Sequence, residues 1–187
     1  MTPVGLPTPQ PTLTTERLVL RSLVPADAPA VHRLAGDRRV ADTTVNIPHP
    51  YEPGMAEAWI AGHEDEYARG AGVTFAITDR KTGALLGAVH LRLQPRFRRA
   101  EMGYWIGVPY WNRGYATEAA RAVLRFGFET VGLHRIFATH FTRNPASGRV
   151  MAKISMQREG VWREHLMRWD RFEDAVVYGI LREEWRP

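Results

Sequence analysis

Residues Trp111 to Glu118 read Trp-Asn-Arg-Gly-Tyr-Ala-Thr-Glu, a polar turn that runs straight into small, helix-forming residues. The chemistry this pattern suits is the holding of an anion. The first turn of a helix carries unpaired N–H groups and a partial positive charge, which favour a phosphate or pyrophosphate. Gly114 removes a Cβ where the backbone would have to approach such a ligand. The stretch just before it, Met102 to Val108, is aromatic-rich and suits a strand, and Pro109 blocks further pairing at its own nitrogen. Strand, glycine-bearing turn and helix together aim several backbone donors at one place.

Other reactive residue types offer less. There is no cysteine, which excludes disulfides, thiolate metal sites and a cysteine nucleophile. No Gly-x-Ser-x-Gly stretch marks an activated serine. His63-Glu-Asp-Glu66 lacks the second histidine of a zinc-binding helix and reads as a solvated helix face. His134 and His140 alternate with apolar residues, which suits partly buried structural positions. Tyr104, Trp105 and Trp111 read as core residues before they read as a substrate platform. No metal is expected.

The net charge of +5 is spread over scattered arginines, with Arg96, Arg98 and Arg99 the one tight cluster. That suits an anion-steering surface, and no aromatic–basic motif points to nucleic acid. No run approaches the roughly 20 apolar residues of a membrane span. With 187 residues, 44% of them apolar, the chain is expected to form one domain over residues 13–187. Residues 1–12, with prolines at 3, 7, 9 and 11, are expected to be a flexible extension with no signal-peptide character. A cytoplasmic location is the expectation.

The elements that must position the turn follow from periodicity. Arg17 to Leu23 alternates as a strand, and Ala28 to Leu34 has helical spacing. A loop, Asn46-Ile-Pro-His-Pro-Tyr51, precedes a helix from Glu52 to about Gly70 with Met55, Trp59 and Ile60 on its apolar side. Val73 to Thr78, Ala84 to Leu93 and Glu101 to Val108 form a three-strand meander. After Gly114, the residues Ala116, Ala119, Ala120, Val123, Leu124 and Phe128 recur at helical spacing, with Glu118, Arg121, Arg125 and Glu129 largely on the other side. Then come a strand from His134 to Phe141 and a helix from Ala146 to about Ile154. An antiparallel pair, Val161 to Arg168 and Ala175 to Leu181, turns near Asp170. Mixed strands and helices imply an α+β fold.

The segment Arg113-Gly-Tyr-Ala-Thr-Glu-Ala119 resembles the acetyl-CoA pyrophosphate loop of the GNAT N-acetyltransferase superfamily. The chain is similar nearly end to end to its RimJ/RimL-type branch, the ribosomal-protein N-terminal acetyltransferases. The matching segments are Thr15 to Arg21, Asn46 to Pro50, Gly103 to Gly107, Gly132 to Arg135, Asn144 to Ser147 and Arg158 to Gly160. Two departures stand out. Trp111 occupies a position where the superfamily has Gln or Arg, although this branch commonly has Trp. Ser155 replaces the glycine of a Lys-Leu-Gly-Phe pattern and loses the residue that suits a left-handed helix stop.

The resemblance implies a mostly antiparallel sheet with one splayed strand pair, flanked by helices. It implies acetyl-CoA as co-substrate and direct transfer of its acetyl group to a primary amine. The acceptor it suggests first is a protein or peptide N-terminus; a small amine or antibiotic, or a sensor domain without turnover, are the alternatives. Ile106 and Val108 would bond the pantetheine arm. Backbone groups of Arg113, Gly114, Tyr115, Ala116 and Thr117 would hold the pyrophosphate. Glu101 would act as base, or be a surface glutamate paired with Arg98 or Arg99. Ser147 would protonate the thiolate or contact the sulfur, or merely cap a helix, and Met151, where many relatives have tyrosine, cannot donate a proton. Asn144 would contact CoA or form a turn before Pro145, and His49 and Tyr51 would line the acceptor entrance. A homodimer is compatible with the resemblance.

Overall fold

The meander expected between Val73 and Val108 forms the middle of one sheet in a computed structural model that describes residues 5–186. Its strands are β1 (Leu13–Thr14), β2 (Leu18–Arg21), β3 (Gly72–Asp79), β4 (Leu85–Gln94), β5 (Arg99–Ile106), β6 (Arg135–Phe141), β7 (Gln157–Arg168) and β8 (Arg171–Leu181). The helices are α1 (Ala28–Ala35), α2 (Arg38–Asp42), α3 (Met55–Ala68), α4 (Tyr115–Arg125) and α5 (Pro145–Lys153). The strand order is β1-β2-β3-β4-β5-β6-β8-β7. Every pairing is antiparallel except β5 with β6. This is the expected α+β architecture.

Alternation in the strands divides the core in two. Val73, Phe75 and Ile77 of β3, Leu91 of β4 and Met102 of β5 pack with Ala119, Ala120, Val123 and Leu124 of α4. Each of those fully buried Leu and Val side chains contributes roughly 1.5–3 kcal/mol. On the opposite face Ala76 meets Ala28, Val31 and Ala35 of α1 and Ala56 and Ile60 of α3, with Trp59 and Trp105 at the margin. So α4 lies under β5 on one face, and α1 and α3 cover β3 and β4 on the other.

Several expectations need correction. Met55 is exposed, and Ala56 takes its place on the buried side of α3. Residues 38–42, to which periodicity assigned no element, form α2 with the Asp37 side chain capping the Arg39 amide. From Gly5 onward the Pro-rich segment makes contacts with the sheet and with α3. Leu6 packs against the core, Gln10 Nε2 donates to the Thr74 carbonyl at 2.9 Å, and Tyr67 Oη bonds the Pro7 carbonyl. Residues 1–4 lie outside the described residues. His134 is exposed just ahead of β6. His63 is mostly covered, edge-on to Trp59 with 4.5 Å between ring centroids and 3.3 Å from Glu66 Oε2, so its helix face is not a solvated one.

After α5 the chain does take the left-handed conformation the missing glycine would suit, with Ser155 at φ 66°. Such a conformation costs a non-glycine residue about 1 kcal/mol. Ser155→Gly is therefore expected to raise the melting temperature by a few degrees and leave acetyl-CoA affinity unchanged. Thermal denaturation of the two proteins checks this; an equal or lower midpoint for the glycine variant would show that the turn is unstrained.

Candidate active site

The parallel pairing of β5 with β6 is short. It joins Arg99 to Arg135, Ala100 to Ile136 and Glu101 to Phe137, and stops there. Strand β5 continues to Ile106 paired only with β4, while β6 continues to Phe141 paired only with β8. The two strands thus open like a V whose apex is Glu101. Main-chain groups of successive strand residues point to alternate sides. Gly107 N–H turns back to the Leu86 carbonyl at 2.8 Å, so the groups of Ile106 face the gap. The Ile106 carbonyl is already engaged by Trp111 Nε1 at 2.6 Å, which leaves its N–H as the free donor there. Trp111 is 38% exposed, so it is neither core nor platform but a strut between strand and turn.

Beyond Pro109 the chain makes the predicted turn. Asn112 has φ 60° and Gly114 φ 80°, and α4 begins at the next residue. The first amide to find a helical acceptor is that of Glu118, which bonds the Gly114 carbonyl at 3.0 Å. The amides of Asn112 through Thr117 have no protein acceptor among the described residues. Such a row of donors at a helix start fits a pyrophosphate. A salt bridge fixes it from behind. Glu118 accepts from Thr15 Oγ1 at 2.6 Å and from the Arg17 amide at 2.9 Å, and pairs with Arg17 Nη2 at 2.6 Å. Arg17 also donates to the Arg113 carbonyl at 3.0 Å and lies over the Tyr115 ring. Burial pushes the Glu118 carboxyl up, but its bonds from Thr15 and Arg17 outweigh that and hold it below the usual range. Periodicity had placed Glu118 on the outward face; the partner is 101 residues away in sequence.

Across the gap from each other stand Tyr104 on β5 and Ser147 on α5. Tyr104 Oη lies 2.9 Å from Ser147 Oγ and donates to the Ser147 carbonyl at 3.0 Å. Ser147 does not cap its helix. The cap is Asn144, whose side chain accepts from the Ser147 amide. Burial pushes the Tyr104 phenol well above its ordinary pKa, so it keeps its proton. Glu101, at the apex, is half-buried and has no ion pair among the described residues. The alternative pairing with Arg98 or Arg99 is not made: Arg99 Nε goes to Gln94 Oε1 at 2.7 Å and Arg98 Nη2 to the Gly132 carbonyl at 3.1 Å. On the same face as Glu101, the His90 ring covers Gly103, where an added Cβ would come within 2.4 Å of it. Burial, with Arg92 nearby, lowers the His90 imidazole to about 4, so it is neutral at physiological pH.

Residues 17–157 match the acetyltransferase (GNAT) domain family. The chain belongs to the GNAT family. It is 32% identical over 173 residues to an uncharacterised N-acetyltransferase of Bacillus subtilis, YoaA, covering 92% of this chain and 97% of that one. It is 27% identical to the ribosomal protein uS5-alanine N-acetyltransferase of Escherichia coli, over 96% of this chain and 95% of that one. A GNAT-family acetyltransferase structure from Bacillus anthracis superimposes with a TM-score of 0.82 at 28% identity, covering 92% of this chain and 99% of that one. The protein is thus an acetyl-CoA-dependent N-acetyltransferase.

In this GNAT protein the loop expected to line the acceptor entrance is fastened by Arg168 and Arg143, which the sequence did not flag, and by Asn144, which it flagged for another role. Arg168 is 7% exposed and donates to the carbonyls of Ala41 at 2.7 Å, Val45 at 3.1 Å and Ile47 at 2.5 Å. Arg143 bridges Asp42 at 3.1 Å and Glu173 at 2.8 Å, and Asn144 Nδ2 reaches the Thr43 carbonyl at 3.5 Å. These side chains tie the loop after α2 to the β7–β8 hairpin and to the start of α5. His49 is exposed beside Trp169, 6.3 Å between ring centroids, whereas Tyr51 is half-buried and packs edge-on against His32 of α1. No group of three metal-ligating side chains occurs among the described residues.

Gly114→Val tests the loop directly. Its φ of 80° is one that a β-branched residue strongly disfavours, and a side chain there stands in front of the free amides. The acetyl-CoA dissociation constant is expected to rise at least about 30-fold, roughly 2 kcal/mol, with the fold retained. Calorimetric titration checks it, and unchanged affinity would mean the pyrophosphate lies elsewhere.

Proposed function

We propose that this enzyme acetylates the N-terminal α-amine of a protein or peptide by direct attack within a ternary complex. The observation that carries the reading is the V between β5 and β6, with a carboxylate at its apex and a hydrogen-bonded Tyr104–Ser147 pair across its mouth. The N–H of Ile106 and the backbone of Val108 would hold the pantetheine arm as an added strand. The amides of Arg113 to Thr117 would hold the pyrophosphate, with the Arg113 charge assisting. When bound, acetyl-CoA supplies a thioester carbonyl that a neutral amine can attack.

The residues then have three tasks. Glu101 accepts the amine's proton, directly or through a water, as the N–C bond forms. A main-chain N–H facing the gap stabilises the oxygen as it gains charge. Ser147 Oγ donates a proton to the departing sulfur and regains one from water, the proton taken by Glu101 passing to solvent, while Tyr104 Oη holds the serine oxygen in place. Asn144 supports this corner by capping α5. His49 and Tyr51 mark the acceptor side, His49 at its rim and Tyr51 in its supporting wall. Residues 13–187 are proposed to act as one catalytic domain, in the cytoplasm.

The test is calorimetric titration with acetyl-CoA, followed by thiol release against N-terminal peptides and small amines. Micromolar binding with release for peptides alone is the expected result. Release only for small amines would move the acceptor class, and binding without release for any amine would make the protein a sensor.

A further inference from the structure

The face of the sheet that bears Glu101 is open on one side. The clamped loop after α2 stands where β6 ends, held by Arg143 and Asn144. The other way along, towards the start of β5 and β6, lies a cavity of about 230 Å³ lined by Arg99, Arg135, Phe137, Glu159, Trp162 and Val177. Phe137 is the residue paired with Glu101 across the strands, and Arg99 lies two residues before Glu101 on the same face. The cavity therefore adjoins the apex of the V.

Its charges do not cancel. Arg135 is neutralised by Glu159, whose two carboxylate oxygens each accept a hydrogen bond from its guanidinium. Arg99 has no carboxylate partner among the described residues: its Nε bonds Gln94, and the guanidinium spreads over the rings of Phe97 and Phe137 at 5.1 and 5.7 Å. A cation fixed between two rings and one amide keeps its terminal N–H groups for a ligand, in the fork that suits a carboxylate or phosphate.

We propose that Arg99, with Phe137 and Trp162 as an aromatic floor, forms a subsite for an acidic group on the acceptor, one or two residues beyond the amine. This rests on the N-terminal reading. Two residues along a strand span about 7 Å, and an extended acceptor advances about 3.4 Å per residue. With the amine at Glu101, acceptor residue 3 comes level with Arg99, and the Arg99 guanidinium, leaning over Phe137 beside Glu101, also reaches the level of residue 2. The enzyme then selects acceptors by charge: an Asp, Glu or phosphorylated residue near the N-terminus is favoured and a Lys or Arg is repelled.

The experiment compares kcat/KM for peptides differing only in having Asp, Ser or Lys at position 2, in wild type, Arg99→Gln and Arg99→Glu. The wild type is expected to prefer Asp over Lys at least tenfold. The glutamine should flatten that preference and the glutamate reverse it, with acetyl-CoA affinity within twofold of wild type. A flat wild-type profile, or a preference that the Glu variant leaves intact, overturns the subsite. If only small amines are turned over, the N-terminal reading fails separately. Paired amines with and without a carboxylate at the same reach then decide the subsite by the same reversal. Should nothing be turned over, calorimetry with N-acetylated Asp and Lys peptides reads the same preference as binding. Loss of a dimer in sedimentation, with no change in preference, would assign the groove to a second copy and sink the proposal.

Discussion

Glu101→Gln is expected to lower kcat by roughly 100-fold or more near neutral pH, the scale that a positioned proton acceptor contributes. Acetyl-CoA affinity should barely move, because the free amides of Asn112 to Thr117 lie at the far end of β5 from this side chain. The deficit should also depend on pH. An α-amine has a pKa near 8, so below that value the enzyme must remove a proton before or during attack. Above it the amine arrives neutral and the carboxylate is less needed. The ratio of wild-type to mutant rates is therefore expected to be largest around pH 6–7 and to shrink by pH 9. Glutamine preserves size and hydrogen bonding, so a packing role predicts near-normal rates throughout. Equal kcat across that range would remove Glu101 from proton transfer and leave the amine to lose its proton to bulk water.

The isolation of Glu101 could not be read from the chain. Two arginines stand within three residues of it, and local sequence makes an ion pair with either as natural as a free carboxylate. What separates the readings is long-range: Arg98 is drawn to the Gly132 carbonyl and Arg99 to Gln94. The pyrophosphate loop, by contrast, was legible because its signal is local. A glycine that needs positive φ, an arginine beside it and an apolar repeat at helical spacing all lie within sixteen residues. The same holds for the meander, where alternation and a Gly-bearing turn fix each strand with its neighbour. The V itself depends on which strand β5 pairs with, and on that pairing ending at Glu101, a matter of sheet twist and order between residues as far apart as Glu101 and Phe137. Arg168 is further still from its partners, 121 to 127 residues from the carbonyls it holds, and nothing about one arginine in a charged strand announces it.

Ser147 was ambiguous for a different reason: a serine near a helix start has a ready structural role as a cap. The geometry separates the two roles, since Asn144 caps and the serine hydroxyl turns to Tyr104. Ser147→Ala is accordingly expected to leave the helix and the melting temperature nearly unchanged and to lower kcat by about 30- to 100-fold. Tyr104→Phe removes the proton that can be donated to the serine and should cost less, about tenfold, because the serine can still reach the sulfur. Since the two hydroxyls act through one contact, the double variant should be no slower than Ser147→Ala alone. Rates that instead multiply would show that the tyrosine meets the thiol by itself. The phenol holds its proton because burial raises its pKa, so the Tyr104→Phe deficit should be constant from pH 6 to 9. A deficit that appeared only above neutrality would mean that the phenol ionises in the working enzyme, and that the pair transfers its proton as a unit rather than holding the serine in position.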